Sequence, residues 1–251
     1  ALGPAIGGVK PLKHHLVDAL DHHGPDGLGQ CSLPSPRLPL HSSKAWDFLA
    51  HLIFNSPNEI TLLTTGPLTN IALAFQHYPE LPGFLDGLVL MGGAYRLTPY
   101  GKGNQTSLAE FNIWQDPEAA HIVFNSGAVT FAVGLDVSMN PTTYLNSQHL
   151  EQLKTGRSLA ARLAAKLVEY AIERRGRCEM HDPLTLAALL DTSLLNFISL
   201  PTEVITGNKW NRGITHVLSR EKAGELPLIN IATAVDGPRF LRLFLSRILE
   251  E

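Results

Sequence analysis

The chain has 251 residues, of which 44% are hydrophobic and 17% are charged, and its formal net charge is -3 at pH 7. This composition predicts a folded protein with a sizeable core and argues against disorder. The weak negative charge and the lack of a basic block give no support to nucleic-acid binding through phosphate neutralisation.

The sequence lacks the patterns of a membrane span, a disulfide framework, a zinc site and a secretion signal. No apolar run reaches the roughly 18 residues that suggest a membrane span, so no membrane contact is predicted. Cys31 and Cys178 are too few for a disulfide framework and lack the spacing of a zinc site, which favours free thiols. Residues 1–15 have no secretion-signal pattern. We therefore expect a soluble, cytoplasmic protein.

Glycine, proline and histidine dominate the first forty residues, which predicts loop with one short helix at residues 11–22. The following segment, 42–54, has apolar residues at helical spacing behind Ser42 and Ser43. These serines are expected to cap that helix.

Strand and helix patterns then alternate along the chain. Buried strands are predicted at 59–66, 85–94 and 127–137, and helices at 67–79 and from Asp116, as N-cap, to about Asn125. Strands that are apolar on both faces and alternate with helices indicate a parallel sheet. The predicted fold class is therefore α/β, with an open, mostly parallel sheet flanked by helices.

The rest of the chain continues this pattern. Residues 151–176 predict an amphipathic helix with a break near Gly156 and with Leu159, Leu163 and Leu167 on one face. The remaining elements are a helix at 181–191, strands at 197–206, 213–219 and 226–235, and a closing helix at 237–249. We expect residues 1–251 to form a single domain.

The segment GNQTSLAEFNIWQDPEAAH, residues 103–121, concentrates polar side chains after the second predicted strand. In an extended segment Glu110 and Asn112 would point the same way, and a carboxylate beside an amide can clamp vicinal hydroxyls. Asn104 could add a third contact. The alternative is a loop in which the asparagines cap neighbouring turns. Binding residues of parallel sheets collect beyond the carboxyl ends of strands, where this segment is expected.

His181, Asp182 and Pro183 stand at the start of a predicted helix. A purely structural role explains two of these residues, with Asp182 as N-cap and Pro183 as the first helical residue. His181 is not explained in this way. Histidine transfers protons near neutral pH, and an adjacent carboxylate can hold a metal ion.

Several of these segments together resemble the inosine–uridine nucleoside hydrolase family. They are TTGPLTNIALAF, LVLMGGAY, GNQTSLAEFNIWQDPEAAHIVF, GLDVS and HDPLTLAALLD, in this order, with HHGPDGLG and INIATAVD in addition. The resemblance spans nearly the whole chain. It implies an α/β enzyme that hydrolyses the N-glycosidic bond of purine or pyrimidine ribonucleosides with a bound calcium ion.

The resemblance also implies roles for individual residues. The substrate-binding positions are Asn104, Glu110, Asn112, Met91 and His23. Calcium would be held by the Thr65 carbonyl and the Asp182 carboxylate, and His181 would assist departure of the base. Such a site grips the sugar hydroxyls while the ring gains oxocarbenium character. A homo-oligomer is implied as well.

One departure from the family pattern concerns the metal. The family has an N-terminal strand ending in Asp-x-Asp-x-Gly-x-Asp-Asp, and no such run occurs in this sequence. We therefore expect an N-terminally incomplete domain without that strand, in which calcium binding is weak or absent. Three interpretations stay open: part of an active hydrolase, a non-catalytic ribose-binding or interaction protein, and a related enzyme acting on another nucleoside.

Overall fold

The computed structural model describes residues 3–31, 33, 35–207, 210–221 and 224–250. The chain divides into two compact units. Unit 1 consists of Ala1–Leu16, Pro36–Val137 and Asn196–Ala234, and unit 2 of Val17–Ser35, Ser138–Leu195 and Val235–Glu251. The single domain expected over residues 1–251 stays a prediction.

Helices and strands alternate through most of the described residues. The helices are α1 (Leu20–His23), α2 (Ala45–Asn55), α3 (Thr69–His77), α4 (Phe111–Gln115), α5 (Pro117–Phe124), α6 (Leu135–Ser138), α7 (Ser147–Thr155), α8 (Leu159–Arg175), α9 (His181–Leu190) and α10 (Gly237–Leu249). The strands are β1 (Ala5–Ile6), β2 (His41–Lys44), β3 (Thr61–Thr64), β4 (Gly87–Met91), β5 (Thr130–Val133), β6 (Leu195–Val204), β7 (Thr215–Val217) and β8 (Leu228–Val235).

One sheet dominates unit 1. Among the described residues its strand order is β3-β4-β5-β8-β6-β7. Strands β3, β4, β5 and β8 pair parallel with one another in this order, whereas β6 and β7 pair antiparallel. The short strands β1 and β2 pair with each other, apart from this sheet. The predicted α/β class with a mostly parallel sheet is confirmed.

The core of unit 1 explains why the central strands are apolar on both faces. Every residue of β4 is buried. Leu88 and Leu90 share one hydrophobic cluster with Ile53 of α2, Phe75 of α3 and Phe124 of α5. Each fully buried side chain of this size contributes about 1.5–3 kcal/mol. The helices that follow the strands therefore flank the sheet because their apolar faces are buried there.

Two predictions for the N-terminal part are wrong. Residues 11–19 are not helical, and Leu12 N–H donates to the Asp116 carboxylate at 2.9 Å, which ties this stretch to unit 1. Ser42 and Ser43 lie in β2, and α2 begins after Lys44 without a side-chain cap. In both places a partner far along the chain replaces the local pattern.

In unit 2 the predicted break at Gly156 is confirmed, since it separates α7 from α8. The predicted apolar face of α8 is wrong. Leu159 and Leu167 are 61% and 41% exposed, while Ala161 and Ala165 are buried. Alanine lets neighbouring helices approach closely, and α8 packs against α7 and α10. The closing helix α10 has the predicted bounds.

Two further expectations can be compared with the structure. Cys31 and Cys178 form no disulfide with each other, as predicted. Among the helices of the described residues, none has the length and apolar character needed to cross a membrane.

Candidate active site

Glu110 of the polar segment is buried, with 2% exposure. Glu110 is the N-cap of α4, and its carboxylate accepts hydrogen bonds from the backbone N–H groups of Asn112 at 2.8 Å and Ile113 at 3.1 Å. It also accepts one from Gly93 at 3.1 Å, just beyond β4. The carboxylate therefore compensates the N-terminal end of α4 and ties this helix to the end of β4.

Asn112 is held against the last residue of β4. Its Nδ2 donates to the Met91 carbonyl at 3.1 Å and lies 3.3 Å from the Met91 sulfur. Both residues are buried. Asn112 Oδ1 has no hydrogen bond within the described part of the chain. The carboxyl end of β4 thus brings together Met91, Glu110 and Asn112. Asn112 Oδ1 is an acceptor that none of the described residues uses.

Asn104 completes the caps of α4. Its Oδ1 accepts from the Phe111 N–H at 2.9 Å, and the residue is exposed. The first N–H groups of α4 are therefore satisfied by Asn104 and Glu110, so the capping alternative describes a real part of their role. The predicted extended geometry is wrong for Asn112, which lies inside α4. A helical turn, not strand alternation, brings Glu110 and Asn112 together.

Thr65 leaves the sheet at the same edge as Met91. Strands β3 and β4 run parallel with Thr64 opposite Leu90, and Thr65 is the exposed residue that follows β3. Its neighbour Thr64 is buried, and the Thr64 hydroxyl has no hydrogen-bond partner among the described residues. Polar groups therefore follow two adjacent strands, as expected for the binding edge of a parallel sheet.

The loop after β4 is held by Asp136, whose role the sequence pattern did not reveal. The Asp136 carboxylate is 1% exposed and accepts from the N–H groups of Tyr95 at 2.8 Å and Leu97 at 2.7 Å. Burial, with the nearby charges of Asp136 and Glu110, raises the pKa of Tyr95 well above its ordinary value. Tyr95 therefore stays neutral and donates its hydroxyl to the Gly92 carbonyl at 3.2 Å.

In unit 2, His181 is the first residue of α9 and its ring contacts a buried serine. His181 Nδ1 lies 2.8 Å from the Ser138 hydroxyl oxygen, and Ser138 is fully buried. This bond fixes the orientation of the imidazole, and which group donates depends on the His181 tautomer. Ser138 was not predicted as a site residue, although it stands in the polar group after the third predicted strand.

Replacing Ser138 by alanine should remove this orientation at small cost to the fold. We expect the free energy of unfolding to fall by about 1 kcal/mol, the net value of one hydrogen bond. Urea denaturation measures that loss, and the ¹⁵N chemical shifts of the His181 ring should change at the same time. Unchanged ring shifts would contradict a tautomer set by Ser138.

Asp182 is not the cap of α9. The N-cap is Met180, whose side chain makes no capping hydrogen bond among the described residues, and Asp182 is the second helical residue. Desolvation by the surrounding protein raises the pKa of the Asp182 carboxyl to about 6. The residue is exposed, so solvent screens part of this effect. Its carboxylate has no hydrogen bond or ion pair in the described part of the chain.

The resemblance assigns His23 to the substrate, and Thr65 and Asp182 to calcium. His23 is the exposed last residue of α1. Thr65 belongs to unit 1 and Asp182 to unit 2. Within the described residues, no group of three or more His, Cys, Asp or Glu side chains could hold a metal ion. Calcium takes six to eight oxygen ligands, so these two predicted ligands do not make a complete site.

Comparison with known proteins relates this geometry to a family. A sequence model described as inosine-uridine preferring nucleoside hydrolase matches residues 4–242. The pyrimidine-specific ribonucleoside hydrolase RihA of Salmonella arizonae is 34% identical over 98% of this chain and 79% of its own length.

Solved structures agree. A purine-preferring ribonucleoside hydrolase from Gardnerella vaginalis has a TM-score of 0.86 and 29% identity, covering 96% of this chain and 78% of its own. A plant nucleoside hydrolase has a TM-score of 0.88 and 29% identity, covering 99% and 81%. The fold is that of the nucleoside hydrolases, which are enzymes. The chain belongs to the inosine-uridine preferring nucleoside hydrolase family.

Proposed function

We propose that Met91, Asn104, Glu110 and Asn112 bind the ribose of a nucleoside, and that the reaction is hydrolysis of the bond between ribose and base. The meeting of Met91, Glu110 and Asn112 at the carboxyl end of β4 carries this proposal. Asn112 Oδ1 is an acceptor and Asn104 Nδ2 a donor, and neither has a hydrogen bond within the described residues. Sugar hydroxyls donate and accept, so they suit both groups.

The relatives support a ribonucleoside without agreeing on its base. One is named as pyrimidine-specific and another as purine-preferring. Purine and pyrimidine ribonucleosides are therefore both proposed substrates, and participation in purine metabolism is part of the same proposal. A cytoplasmic location, a homo-oligomer and the absence of nucleic-acid and membrane partners stay predictions.

His181 is proposed to donate the proton that makes the base a better leaving group, and His23 to contact the substrate. General acid catalysis contributes about 10²–10⁴-fold to a rate. An imidazolium His181 whose Nδ1–H donates to the Ser138 oxygen would have its Nε2 proton available for the base and would become a neutral imidazole after the transfer. The hydrogen bond to Ser138 would thus hold the ring in a fixed orientation during the transfer.

Calcium is proposed only as the family's metal, with the Thr65 carbonyl and Asp182 as two of its ligands. Such an ion would bind ribose hydroxyls and lower the pKa of a water molecule. The described residues do not fit a complete site, so no step is derived through the ion. We expect hydrolysis by the 251-residue chain to be slow and insensitive to added calcium.

Within the residues that the structure describes, no carboxylate cluster suits a metal ion, which favours one alternative function, a ribose-binding protein without turnover. Sugar binding and hydrolysis therefore need separate measurements. The related alternative, an enzyme for a different nucleoside, differs only in the base. Nicotinamide riboside is a suitable additional substrate for that case.

The proposal is tested by calorimetric titration of the chain with uridine and with 2′-deoxyuridine. We expect uridine to bind at least about tenfold more tightly, since an unpaired buried polar group costs about 1–3 kcal/mol. Asn112→Ala should lower uridine affinity by about tenfold for the same reason and reduce the difference between the ligands. Chromatographic assay of released uracil, with and without calcium, measures turnover in parallel.

Asn125→Ala is the matched control, because the exposed Asn125 bonds only within its own helix end, to His121 O at 2.8 Å and less closely to the His121 ring. It should leave both affinities unchanged. Equal affinities for uridine and 2′-deoxyuridine in the unmodified chain would overturn the ribose assignment. Calcium-stimulated turnover would contradict the incomplete metal site but not the sugar contacts.

A further inference from the structure

The hairpin formed by β6 and β7 packs against the segment that carries the proposed sugar contacts. This segment, residues 104–115, is called the sugar-binding segment below. Ala109 and Ile214 form an isolated antiparallel bridge between the two. Gly213 has φ +77°, and a Cβ there would lie 2.4 Å from the Trp114 Cα. Glycine is thus required where the hairpin meets α4, on grounds of both conformation and space.

Arg212 of the same hairpin holds the C-terminal end of α4. Its Nε and Nη2 donate to the Trp114 carbonyl at 3.0 and 2.8 Å, and Nη2 is 3.4 Å from the Gln115 carbonyl. The guanidinium also lies 4.1 Å from the centre of the Trp114 ring. The last carbonyls of a helix have no partners within it, and a cation there is favourable. Arg212 supplies both the donors and the charge.

A second arginine ties the other end of the sugar-binding segment to the hairpin. Arg96 donates to the Leu108 carbonyl at 3.2 Å and to the Thr215 carbonyl of β7 at 3.1 Å. Its φ of +59° is unusual for a residue other than glycine. The buried Thr215 hydroxyl also exchanges hydrogen bonds of 3.0 Å with the backbone of Ala94. The hairpin therefore contacts the segment on both sides of Glu110 and Asn112.

A short helix makes this support necessary. α4 has five residues, and isolated helices shorter than about 12 residues are marginal. Asn104 and Glu110 hold its N-terminal end and Arg212 holds the carbonyls at its C-terminal end, so loss of Arg212 would let that end shift. Asn112 lies two residues before Trp114, so such a shift would move Oδ1 relative to Met91. A misplacement of about 1 Å can cost about 10²-fold in function.

We propose that the β6–β7 hairpin positions the sugar-binding segment, with Arg212 as the positioning residue that holds α4 and so sets the place of Asn112. Arg212 touches no sugar and acts through Trp114 and Gln115. The ligand part of this inference rests on the proposed function, whereas the restraint of α4 does not. Loss of the restraint should weaken discrimination between ribose and 2-deoxyribose.

The experiment compares Arg212→Met, Arg212→Lys and Arg220→Met in the full chain. Arg220 is an exposed arginine beyond β7 without a hydrogen bond or ion pair in the described residues, and Arg220→Met is the control. Hydrogen–deuterium exchange is measured over residues 104–115, 87–91 and 117–124. Calorimetry gives the ratio of uridine to 2′-deoxyuridine affinity for each variant.

In Arg212→Met we expect exchange to accelerate by at least about tenfold in residues 111–115, as a local opening of a marginal helix predicts, and not in β4 or α5. The affinity ratio should fall towards one. Arg212→Lys should be intermediate, because lysine keeps the charge and loses the planar fork. Arg220→Met should match the unmodified chain in both measurements.

Unchanged exchange in residues 111–115 of Arg212→Met would overturn the inference. Equal acceleration throughout unit 1 would also overturn it, because Arg212 would then only stabilise the fold. Local acceleration with an unchanged affinity ratio would rule out a role in sugar recognition. If the unmodified chain binds neither nucleoside, the proposed function fails, and the exchange data still decide whether Arg212 restrains α4.

Discussion

Replacing Glu110 by alanine should lower the free energy of unfolding by about 3–5 kcal/mol, because each buried donor left without an acceptor costs about 1–3 kcal/mol. Three backbone N–H groups, those of Gly93, Asn112 and Ile113, donate to this carboxylate. With 2% exposure at Glu110, water has little access to replace it. The change would also detach α4 from the end of β4.

Urea denaturation followed by circular dichroism measures this loss. Glu59→Ala is the control, since Glu59 is exposed and its side chain has no partner in the described residues; we expect a change within about 0.5 kcal/mol. Glu110→Gln keeps one acceptor oxygen and should fall between the two. A loss for Glu110→Ala no larger than that of the control would disprove the buried cap.

Glu110→Ala should abolish uridine binding as well, either through unfolding or through loss of a sugar contact. Stability and the uridine affinity of a folded variant separate these two causes. Below the unfolding temperature of Glu110→Gln, its folded fraction can be titrated with uridine. If the carboxylate binds sugar hydroxyls in addition to capping α4, this folded variant should still bind uridine at least about tenfold more weakly, since a hydrogen bond to a charged group contributes about 1.5–3 kcal/mol. Unchanged affinity would restrict Glu110 to its capping role.

Asp116→Asn should give the second large effect, a loss of about 2–3 kcal/mol, because the amide replaces one acceptor of a buried network with a donor. Asp116 is fully buried and joins three parts of unit 1. It accepts from Leu12 N–H at 2.9 Å, from the Thr69 hydroxyl at 2.6 Å and from Ala119 N–H at 3.2 Å. An asparagine in this position cannot accept all three bonds.

Asp236→Asn is the matched control for this substitution. Like Asp116, Asp236 is the N-cap of a helix with proline in its first turn. It accepts a hydrogen bond from Arg239 N–H at 3.1 Å, but it is exposed. Asparagine and aspartate are nearly equivalent as exposed N-caps, so we expect less than about 0.5 kcal/mol. Equal losses at the two positions in urea denaturation would show that burial of Asp116 has no energetic consequence.

Where local chemistry decides the structure, the elements could be predicted from the sequence. Strand β4 is apolar on both faces because both faces are buried. Asp116 is the N-cap of α5 and Pro117 is its first residue, as the Asp-Pro pattern predicts. Helix α10 occupies the predicted residues. In each case the signal lies within a few residues of the element that it specifies.

The expectations that failed depended on distant partners. Leucines were expected on the buried face of α8, but the alanine face is buried, since α7 and α10 pack there. Asp182 was expected to cap α9, yet the N-cap is Met180, whose side chain makes no capping hydrogen bond among the described residues. Apolar periodicity identifies a helix and its caps without showing which face its neighbours will cover.

Local sequence patterns predicted the alternation of strands and helices after residue 58, the mostly parallel sheet and the polar segment around Glu110, because periodicity, caps and turn residues act over a few residues. The contacts of Glu110 with Gly93 N–H, of Ser138 with His181 and of Arg212 with α4 arise only in the folded chain. These partners are 17, 43 and 98 residues apart. Chain folding brings them together, and no local pattern records such a distance.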